Sequence, residues 1–323
     1  MKVSVIIPVY NAADYVQQAV ESALSQPETG EVILVEDAST DNSLTVCREL
    51  ESRYPLVRLF RHPDGGNHGE AASRNLAIKM SACEYVACLD ADDFYLPDRF
   101  SVDREIFNSD SAIDGVYGAL GEYIESDAAR ERWLASNRSV GELTTMTKRV
   151  GPEQLYETLV AGQHGYFHLN CSTVKRRVFE KTGPFNEKLR LHTDMDMLWK
   201  IAAVARLMPG RLDEPIALRR IHGHNTISTP RPPSDVYRTW NLLLREAWRW
   251  ARATLTSAKR QVLLRRYLTV IEFFRLDPKG AKEMHIFRRK MWLMIAALQD
   301  PSILRESYFW QRLLPSRLFS AGG

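Results

Sequence analysis

The sequence predicts an α/β fold, with a mostly parallel sheet flanked by helices and an all-helical C-terminal extension. Short apolar strand patterns alternate with helical patterns over residues 1–229. Strands separated by helices need crossover connections, and such connections make the strands parallel. After the breaker PRPP at residues 230–233, the pattern is helical and rich in Arg, Trp and Leu. We therefore predict two regions, 1–229 and 230–323.

The first region begins with strands that are each followed by a helix. Strands are expected at residues 3–9, 31–35, 57–61 and 85–89, where apolar runs end in polar turns. We predict that Asn11 caps the first helix and that Pro97 opens the last one as a first-turn proline. Between them, helices are expected after residue 42 and over residues 70–80.

The second half of this region has a weaker pattern. Residues 121–165 are polar and irregular, which indicates an insertion of loops and helices. Beyond it, strands are predicted at 169–174 and 216–221, and a helix at 193–205.

The charge is unevenly distributed between the two regions. Residues 231–323 contain 18 Lys and Arg against 7 Asp and Glu, whereas the whole chain has a net charge of only +3. The basic helices fit two interpretations: a packed core with a solvated face, or an amphipathic surface that lies on anionic lipid headgroups. Nucleic-acid binding is not indicated, because no recognised motif accompanies the charge.

The sequence also bears on location. The apolar stretch at 291–298 is less than half of the roughly 18 residues that a spanning helix needs. The apolar run that ends at Pro8 is too short for a secretory signal. The four cysteines contain no CxxC pair and are expected to be reduced thiols. We therefore expect a cytoplasmic protein that does not span a membrane.

Polar side chains follow each of the first four predicted strands. In an open α/β sheet, ligands bind at the carboxyl ends of the strands. Neither GxGxxG nor a Walker lysine motif is present, so the sheet lacks a glycine-rich phosphate cradle. The alternative is a divalent cation on carboxylates, and Asp90, Asp92 and Asp93 could supply them. Taken alone, such a cluster is more often a solvated turn or a helix cap than a metal site. Its position after an apolar strand, level with Glu36 and Asp37, favours the metal site here.

Four segments of the chain, taken in sequence order, resemble the N-terminal signature of family 2 inverting glycosyltransferases. They are SVIIPVYNAADYVQQAVESALSQ, VILVEDASTDNSL, GEAASRNLAI and YVACLDADDFYLPDRF, and the resemblance extends over about residues 1–225. It implies the GT-A fold, a Rossmann-like sheet with a donor half at about 1–120 and an acceptor half at about 121–229.

The resemblance implies a site for a nucleotide-sugar donor. Pro8, Tyr10 and Asn11 would line the pocket for base and ribose. Asp37 would accept a hydrogen bond from the base, which favours uracil, although an Asx turn is an alternative role for it. Asp90 would contact the ribose.

Other matched positions are implied to lie near the diphosphate. Arg74 and Asn75 would lie near the base or diphosphate, although Arg74 could equally form a helix-surface ion pair. Ala91 belongs to the same donor-binding loop, where Asp92 would ligate Mn²⁺ or Mg²⁺. His222, in RRIHGHN at 219–225, would complete the metal or phosphate shell, unless it is a surface histidine without a ligand.

The resemblance also implies a catalytic base. The segment HTDMDMLW resembles the acidic motif of the family, with Thr193 where Glu is usual. Asp194 would be the general base for the acceptor hydroxyl, and Asp196 is the second candidate. Alternatively, Asp194 is only a favourable charge at a helix N-terminus.

The predicted function is transfer of a sugar, with inversion, from a nucleotide-diphosphate sugar, with UDP favoured, to a hydroxyl acceptor. The expected acceptor is a saccharide or a lipid-linked glycan in cell-envelope or extracellular polysaccharide synthesis. The alternatives are a nucleotide-sugar-binding module that has lost its base and a sugar nucleotidyltransferase. The latter usually has a Gly-rich, basic loop after the first strand, where PVYNAAD stands here.

Overall fold

The structure is a computed structural model. It describes residues 1–136, 138–223, 225, 231–275, 290–291, 293–298 and 300–314, with only the backbone for 271–275. The chain folds as two compact units, Met1–Pro230 and Arg231–Gly323. Parts of the segments used in the sequence analysis lie outside the described residues: residue 137 in the segment 121–165, His224, Pro230, and residues 276–289, 292, 299 and 315–323 of the C-terminal region.

The first unit contains ten strands and eight α-helices in the described residues. The strands are β1 Val3–Val9, β2 Thr29–Glu36, β3 Val57–Arg61, β4 Tyr85–Cys88, β5 Phe94–Tyr95, β6 Gly115–Tyr117, β7 Ala119–Ile124, β8 Ser172–Lys175, β9 Leu207–Pro209 and β10 Pro215–Ile221. The helices are α1 Val16–Leu24, α2 Ser43–Arg53, α3 Glu70–Met80, α4 Ser101–Ser109, α5 Asp127–Ala135, α6 Pro152–Ala161, α7 Val178–Thr182 and α8 Thr193–Val204.

The main sheet has seven strands in the order β3-β2-β1-β4-β8-β6-β9. Its first four strands are parallel, and β8 is antiparallel to both β4 and β6. The strand order reverses at β1, because β2 lies on one side of β1 and β4 on the other. The carboxyl ends of β1, β2 and β4 therefore border the crevice where such sheets bind ligands. The predicted α/β class with a mostly parallel sheet is confirmed.

A second sheet has the strand order β5-β10-β7. β5 directly follows the acidic loop after β4 and pairs antiparallel with β10, which carries the RRI segment. The pairing of two short segments that are more than 100 residues apart thus brings the acidic loop close to His222.

Three local predictions were wrong. Helix α1 begins at Val16 and not after Asn11, whose side chain instead accepts hydrogen bonds from Thr40. Helix α4 begins at Ser101, and Pro97 lies in the turn before it, not at its first turn. The strand expected over 169–174 starts as a 3₁₀ turn and becomes extended only at Ser172.

Two strands within residues 115–124 were missed because glycines interrupt their apolar pattern. The glycines allow close packing against β10: a Cβ on Gly118 would lie 2.5 Å from Ile216 Cδ1, and one on Gly121 would lie 2.7 Å from Leu218 Cδ2. Glycine in a strand often marks such a close approach. The packing of the second sheet therefore requires glycine at positions 118 and 121.

The second unit is helical in its described residues. It contains α9 Pro233–Thr254 and α10 Ser257–Arg275, a 3₁₀ turn at Pro301–Arg305 and a last helix at Ser307–Leu313. One stripe of α9, which includes Leu244 and Trp248, is fully buried. In this part of the chain, Trp248 belongs to a packed core, as one of the two interpretations expected, whereas Trp310 is 37% exposed. Among all described helices, none is both long and apolar enough to cross a bilayer.

We expect Gly118→Ala to destabilise the first unit. The new Cβ would meet Ile216 and lie 3.0 Å from the carbonyl oxygen of Arg211. Overpacking of this kind costs about 1–3 kcal/mol. Urea unfolding of the full-length chain measures the loss. Gly66→Ala is the matched control, because its Cβ would meet only ordinary contacts of 3.4 Å or more with Asp64. Equal stability of the two variants would contradict the packing argument.

Candidate active site

The loops after β1 and β2 are fastened to each other at the carboxyl edge of the sheet. Asn11 has a φ of 50°, and its Oδ1 accepts hydrogen bonds from the backbone N–H of Thr40, at 2.8 Å, and from its hydroxyl. The backbone N–H of Asn11 donates to Ser39 Oγ at 3.0 Å. The neighbouring Tyr10 is 51% exposed, so its ring is open to a ligand. Pro8 lies at the end of β1, and the loop after it, which contains Tyr10 and Asn11, thus has a defined shape beside the crevice.

Asp37 fastens a third loop to this edge. Its Oδ1 accepts the backbone N–H of His68 and its Oδ2 that of Gly69, both at 2.7 Å. These partners lie just before helix α3, about 30 residues away, so Asp37 does not form the local Asx turn considered as an alternative. The side chain is buried, with 2% of the residue exposed. A contact with a nucleotide base would use a remaining lone pair, and this role stays a prediction.

The acidic loop after β4 has its three carboxylates in different surroundings. Asp90 pairs with Arg74 at 2.8 Å, and Asp92 lies next to His222. Asp93 is buried and accepts hydrogen bonds from Asn170 Nδ2, at 2.6 Å, and from the backbone N–H of Arg220, at 2.9 Å. Burial, reinforced by the charges of Asp92 and Asp90, raises the pKa of Asp93 well above its usual range. Asp93 therefore anchors β10 and is not free to hold a cation.

Asp92 and His222, the two residues predicted to bind the metal, lie next to each other, and metal binding by them stays a prediction. Asp92 Oδ2 lies 3.1 Å from His222 Nε2, and 34% of the Asp92 side chain is exposed. The Tyr15 ring packs against the His222 imidazole with a centroid distance of 4.8 Å, which orients the imidazole. Mn²⁺ accepts both carboxylate and imidazole ligands. Within the described residues no group of three or more His, Cys, Asp or Glu could hold a metal, so the remaining ligands would come from the diphosphate or water.

Arg74 connects the acidic loop with the predicted base. Its Nη2 contacts Glu70 at 2.6 Å and Asp90 at 2.8 Å, and its Nη1 contacts Asp194 at 2.5 Å. The side chain is fully buried over the Phe185 ring. The alternative of a helix-surface ion pair is therefore wrong. A buried guanidinium needs these carboxylates, and losing a partner of a buried pair costs about 3–5 kcal/mol.

Asp194, the predicted base, has both oxygens held. Oδ1 accepts from Arg74, and Oδ2 lies 3.3 Å from His168 Nε2. Burial would raise the pKa of Asp194, but Arg74 and His168 outweigh it and hold the pKa well below its usual range. Asp194 is thus a carboxylate at neutral pH, and 29% of its side chain is accessible. By contrast, the second candidate, Asp196, is fully buried and pairs with Lys200 at 2.6 Å.

Glu70 is an additional carboxylate of this cluster. Desolvation of its carboxyl group raises its pKa, with Asp194 and Asp90 adding to the shift and Arg74 opposing it. Since 49% of the Glu70 side chain is exposed, solvent screens these charges and moderates the shift. Glu70 therefore takes up a proton at a higher pH than Asp194 does.

His168 and Asn170 were not found from the sequence. His168 Nδ1 accepts the backbone N–H of Asn170 at 3.3 Å, so in the neutral ring Nε2 carries the proton and donates to Asp194. Asn170 Nδ2 donates to Asp93 and, at 3.3 Å, to Asp90. The one-turn segment before β8 therefore fixes the base and the acidic loop together. No sequence signal pointed to it, because its partners lie about 20 to 80 residues away.

Arg220, which belongs to the RRIHGHN segment, holds β10 in place. Its Nε donates to the Asp92 carbonyl oxygen at 3.1 Å. Its guanidinium lies over the rings of Tyr15, Phe94 and Tyr123 at 5.1 to 5.5 Å. The Arg220 side chain is buried among aromatic rings. It positions the acidic loop through its hydrogen bond to the backbone carbonyl of Asp92.

Asn75 is used within the fold. Its Nδ2 donates to the carbonyl oxygen of Phe185 and to Glu187, and its Oδ1 accepts the Phe185 N–H at 2.7 Å. These bonds fasten α3 to the turn before α8. The predicted contact of Asn75 with the donor stays a prediction that none of these bonds supports. Ala91, between Asp90 and Asp92, is 8% exposed.

The matches to known proteins agree with this geometry. The family described as Glycosyl transferase family 2 matches residues 4–183, and the chain belongs to this family. Relatives include a chondroitin synthase and a hyaluronan synthase of Pasteurella multocida, each 31% identical over 225 residues. The match covers 69% of this chain and 21% of each relative, so the chain spans about a fifth of their length. The succinoglycan biosynthesis protein ExoU of Rhizobium meliloti is 42% identical over 97 residues, which are 30% of this chain and 28% of ExoU.

Solved structures with the same fold include TarS 1–349 of S. aureus in complex with UDP-GlcNAc. It has a TM-score of 0.61 at 19% identity, over 98% of this chain and 82% of that one. The mannosyltransferase PcManGT from Pyrobaculum calidifontis, in complex with GDP-Man and Mn²⁺, has a TM-score of 0.52 at 18% identity, over 99% of this chain and 83% of that one. At such identities the likeness concerns the fold, and the predicted GT-A type is confirmed.

We expect His168→Ala to raise the pKa of Asp194 towards the ordinary value for Asp, because it removes the N–H that stabilises the ionised carboxylate. Carboxyl ¹³C NMR titration of the full chain measures the shift. His164→Ala is the control, since His164 is an exposed histidine four residues away. An Asp194 titration that is the same in both variants would show that His168 does not stabilise the charge.

Proposed function

We propose that this protein is an inverting glycosyltransferase that moves a sugar from a nucleoside diphosphate sugar, with UDP favoured, to an acceptor hydroxyl. One observation carries the proposal: the two terminal nitrogens of Arg74 hold Asp90 of the acidic loop and Asp194 at once. A donor that contacts the acidic loop would therefore lie beside a carboxylate that can accept a proton. Membership of family 2 and the UDP-GlcNAc bound to the similar TarS structure support this.

The acceptor hydroxyl would give its proton to Asp194 as it attacks the anomeric carbon. Arg74 and His168 hold the carboxylate in one orientation, which supplies the positioning that proton transfer needs. Because Arg74 stabilises the charged form, Asp194 is ionised before the reaction but weakly basic. Attack opposite to the leaving group inverts the anomeric centre in a single displacement. No second catalytic carboxylate is needed for it.

The nucleoside diphosphate would leave on the side of Asp92 and His222. These two residues would hold Mn²⁺ or Mg²⁺, which as a Lewis acid stabilises charge on the departing diphosphate. Tyr15 and Arg220 keep this corner fixed: the first orients the imidazole and the second holds the Asp92 backbone. Tyr10, with its exposed ring, would cover the base of the nucleotide.

The acceptor is proposed to be a saccharide or a lipid-linked glycan. The support is that the names of relatives include chondroitin, hyaluronan and succinoglycan synthesis. A glycan of the cell envelope or an extracellular polysaccharide fits these names. Action at the inner face of the cytoplasmic membrane, in peripheral contact with anionic lipid, is part of the same proposal.

We expect Asp194→Asn to keep donor binding and to lower kcat by about 100-fold or more, because loss of a general base typically costs that much. UDP release with a panel of UDP-sugars and acceptors measures turnover, and calorimetry measures donor binding. Asp213→Asn is the control, since Asp213 is an exposed aspartate in a loop. Near wild-type kcat in Asp194→Asn would exclude it as the base. Donor binding without turnover in the unaltered chain would instead favour the binding-module alternative, to which Thr193 points.

We expect Asp92→Asn and His222→Gln to abolish the Mn²⁺-dependent part of UDP binding, because each removes a proposed ligand. Thermal shift with UDP, with Mn²⁺ and with both together measures it. Removal of the metal by EDTA should reduce the unaltered protein to the same level. Asp110→Asn, on the exposed end of α4, is the control. A Mn²⁺-dependent shift that survives both substitutions would place the metal elsewhere.

A further inference from the structure

A polar cavity of about 410 Å³ lies within the second unit. Its lining contains three arginines and three serines: Arg252, Arg260, Arg305, Ser257, Ser302 and Ser307. They come from the end of α9, the start of α10 and the segment at residues 302–307. The cavity is therefore formed by parts of one helical unit, and the function proposed above does not use it.

The positive charge around the cavity exceeds the negative charge. Arg260 donates to Glu306 at 3.3 Å and to the carbonyl oxygen of Leu255 at 3.1 Å. Arg252 has only a loose pairing with Asp300, at 3.7 Å. In the part of the chain that the structure describes, the Arg305 side chain makes no hydrogen bond or ion pair. Since each guanidinium has five N–H donors, many donors around the cavity stay unused.

The nearby carboxylates are already engaged. Asp300 Oδ1 accepts the N–H of Ser302, at 3.1 Å, and its hydroxyl, at 2.5 Å, which fixes the start of the 3₁₀ turn. The Glu306 carboxylate is 11% exposed and pairs with Arg260. Neither acid is positioned to neutralise Arg305. An anionic ligand would therefore offset the remaining positive charge.

The frame of the cavity is fixed by packing. Trp248, fully buried, donates from Nε1 to Ser302 Oγ at 3.1 Å. Ile303 and Phe309, on either side of the lining residues 305–307, are also fully buried. The backbone that carries the serines and Arg305 is thus held by the core of the unit. A fixed backbone that carries long arginine side chains is suited to binding an anion.

We propose that this cavity binds a phosphate monoester or diphosphate group. Arginine forks match phosphate oxygens in a bidentate manner, and the hydroxyls of Ser257 and Ser307 can donate to the same oxygens. A multiply charged phosphate suits three arginines better than a single carboxylate does. The group could be a soluble phosphate or the headgroup of a phospholipid, and the net positive charge of residues 231–323 attracts both.

The test is a calorimetric titration of the full-length chain with inorganic pyrophosphate in the presence of EDTA. EDTA removes the metal on which the proposed donor site depends, so that this site does not contribute. We expect the unaltered chain to bind pyrophosphate, and the Arg252→Ala/Arg305→Ala double variant to lose at least 10-fold in affinity. The control is Arg238→Ala on α9, an exposed arginine that pairs with Asp235. Circular dichroism checks that every variant is folded.

Absence of pyrophosphate binding, or equal affinity in the double variant and in Arg238→Ala, would overturn the proposal. The source is decided by sedimentation with phosphatidylcholine vesicles, with and without phosphatidic acid. Binding to phosphatidic acid that the double variant loses and pyrophosphate displaces indicates a lipid headgroup. Pyrophosphate binding without vesicle binding indicates a soluble phosphate.

Discussion

The buried Arg74 guanidinium is the interaction on which the rest of the candidate site depends. It holds Glu70 on its own helix, Asp90 at the end of β4 and Asp194 at the start of α8. These carboxylates come from three elements that the fold brings together only at this point. A fully buried cation requires such partners. The same arrangement that satisfies Arg74 also keeps the proposed base ionised and in one orientation.

Around this centre, the acidic loop is held from two further sides. Asn170 fastens it from the turn before β8, and Arg220 fastens it from β10 through the Asp92 carbonyl oxygen. The remaining carboxylate, Asp92, is left beside His222 with part of its surface accessible. Asp90 therefore pairs with Arg74, Asp93 anchors β10, and Asp92 stays available for a ligand. The division of roles comes from the surroundings, since the three residues are chemically identical.

Much of the fold and part of the site could be predicted from the sequence. Apolar runs separated by helical patterns identified β1 to β4, and the resemblance to family 2 pointed to Asp92, His222 and Asp194. In the structure Asp92 lies next to His222, and Arg74 joins Asp194 to Asp90 of the same acidic loop; the roles of these residues stay predictions. Gly118 and Gly121 hid two strands, because the same lack of a side chain that permits close packing also removes the strand pattern. His168 and Asn170 could not be found, since their partners are distant along the chain. The turn-fixing bonds of Asn75 were not foreseen, because they depend on where the turn before α8 lies.

The buried cluster has a consequence for how the protein tolerates acid. Asp194 has a depressed pKa, so it stabilises the fold above the ordinary titration range of Asp and loses this contribution as the pH falls through its lowered value. Once its counter-ions are neutralised, Arg74 is left as a solitary cation in dense protein. Protonation of Asp194 would then loosen the junction of α3, β4 and α8. Recovery on neutralisation would require those three elements to close again around one side chain.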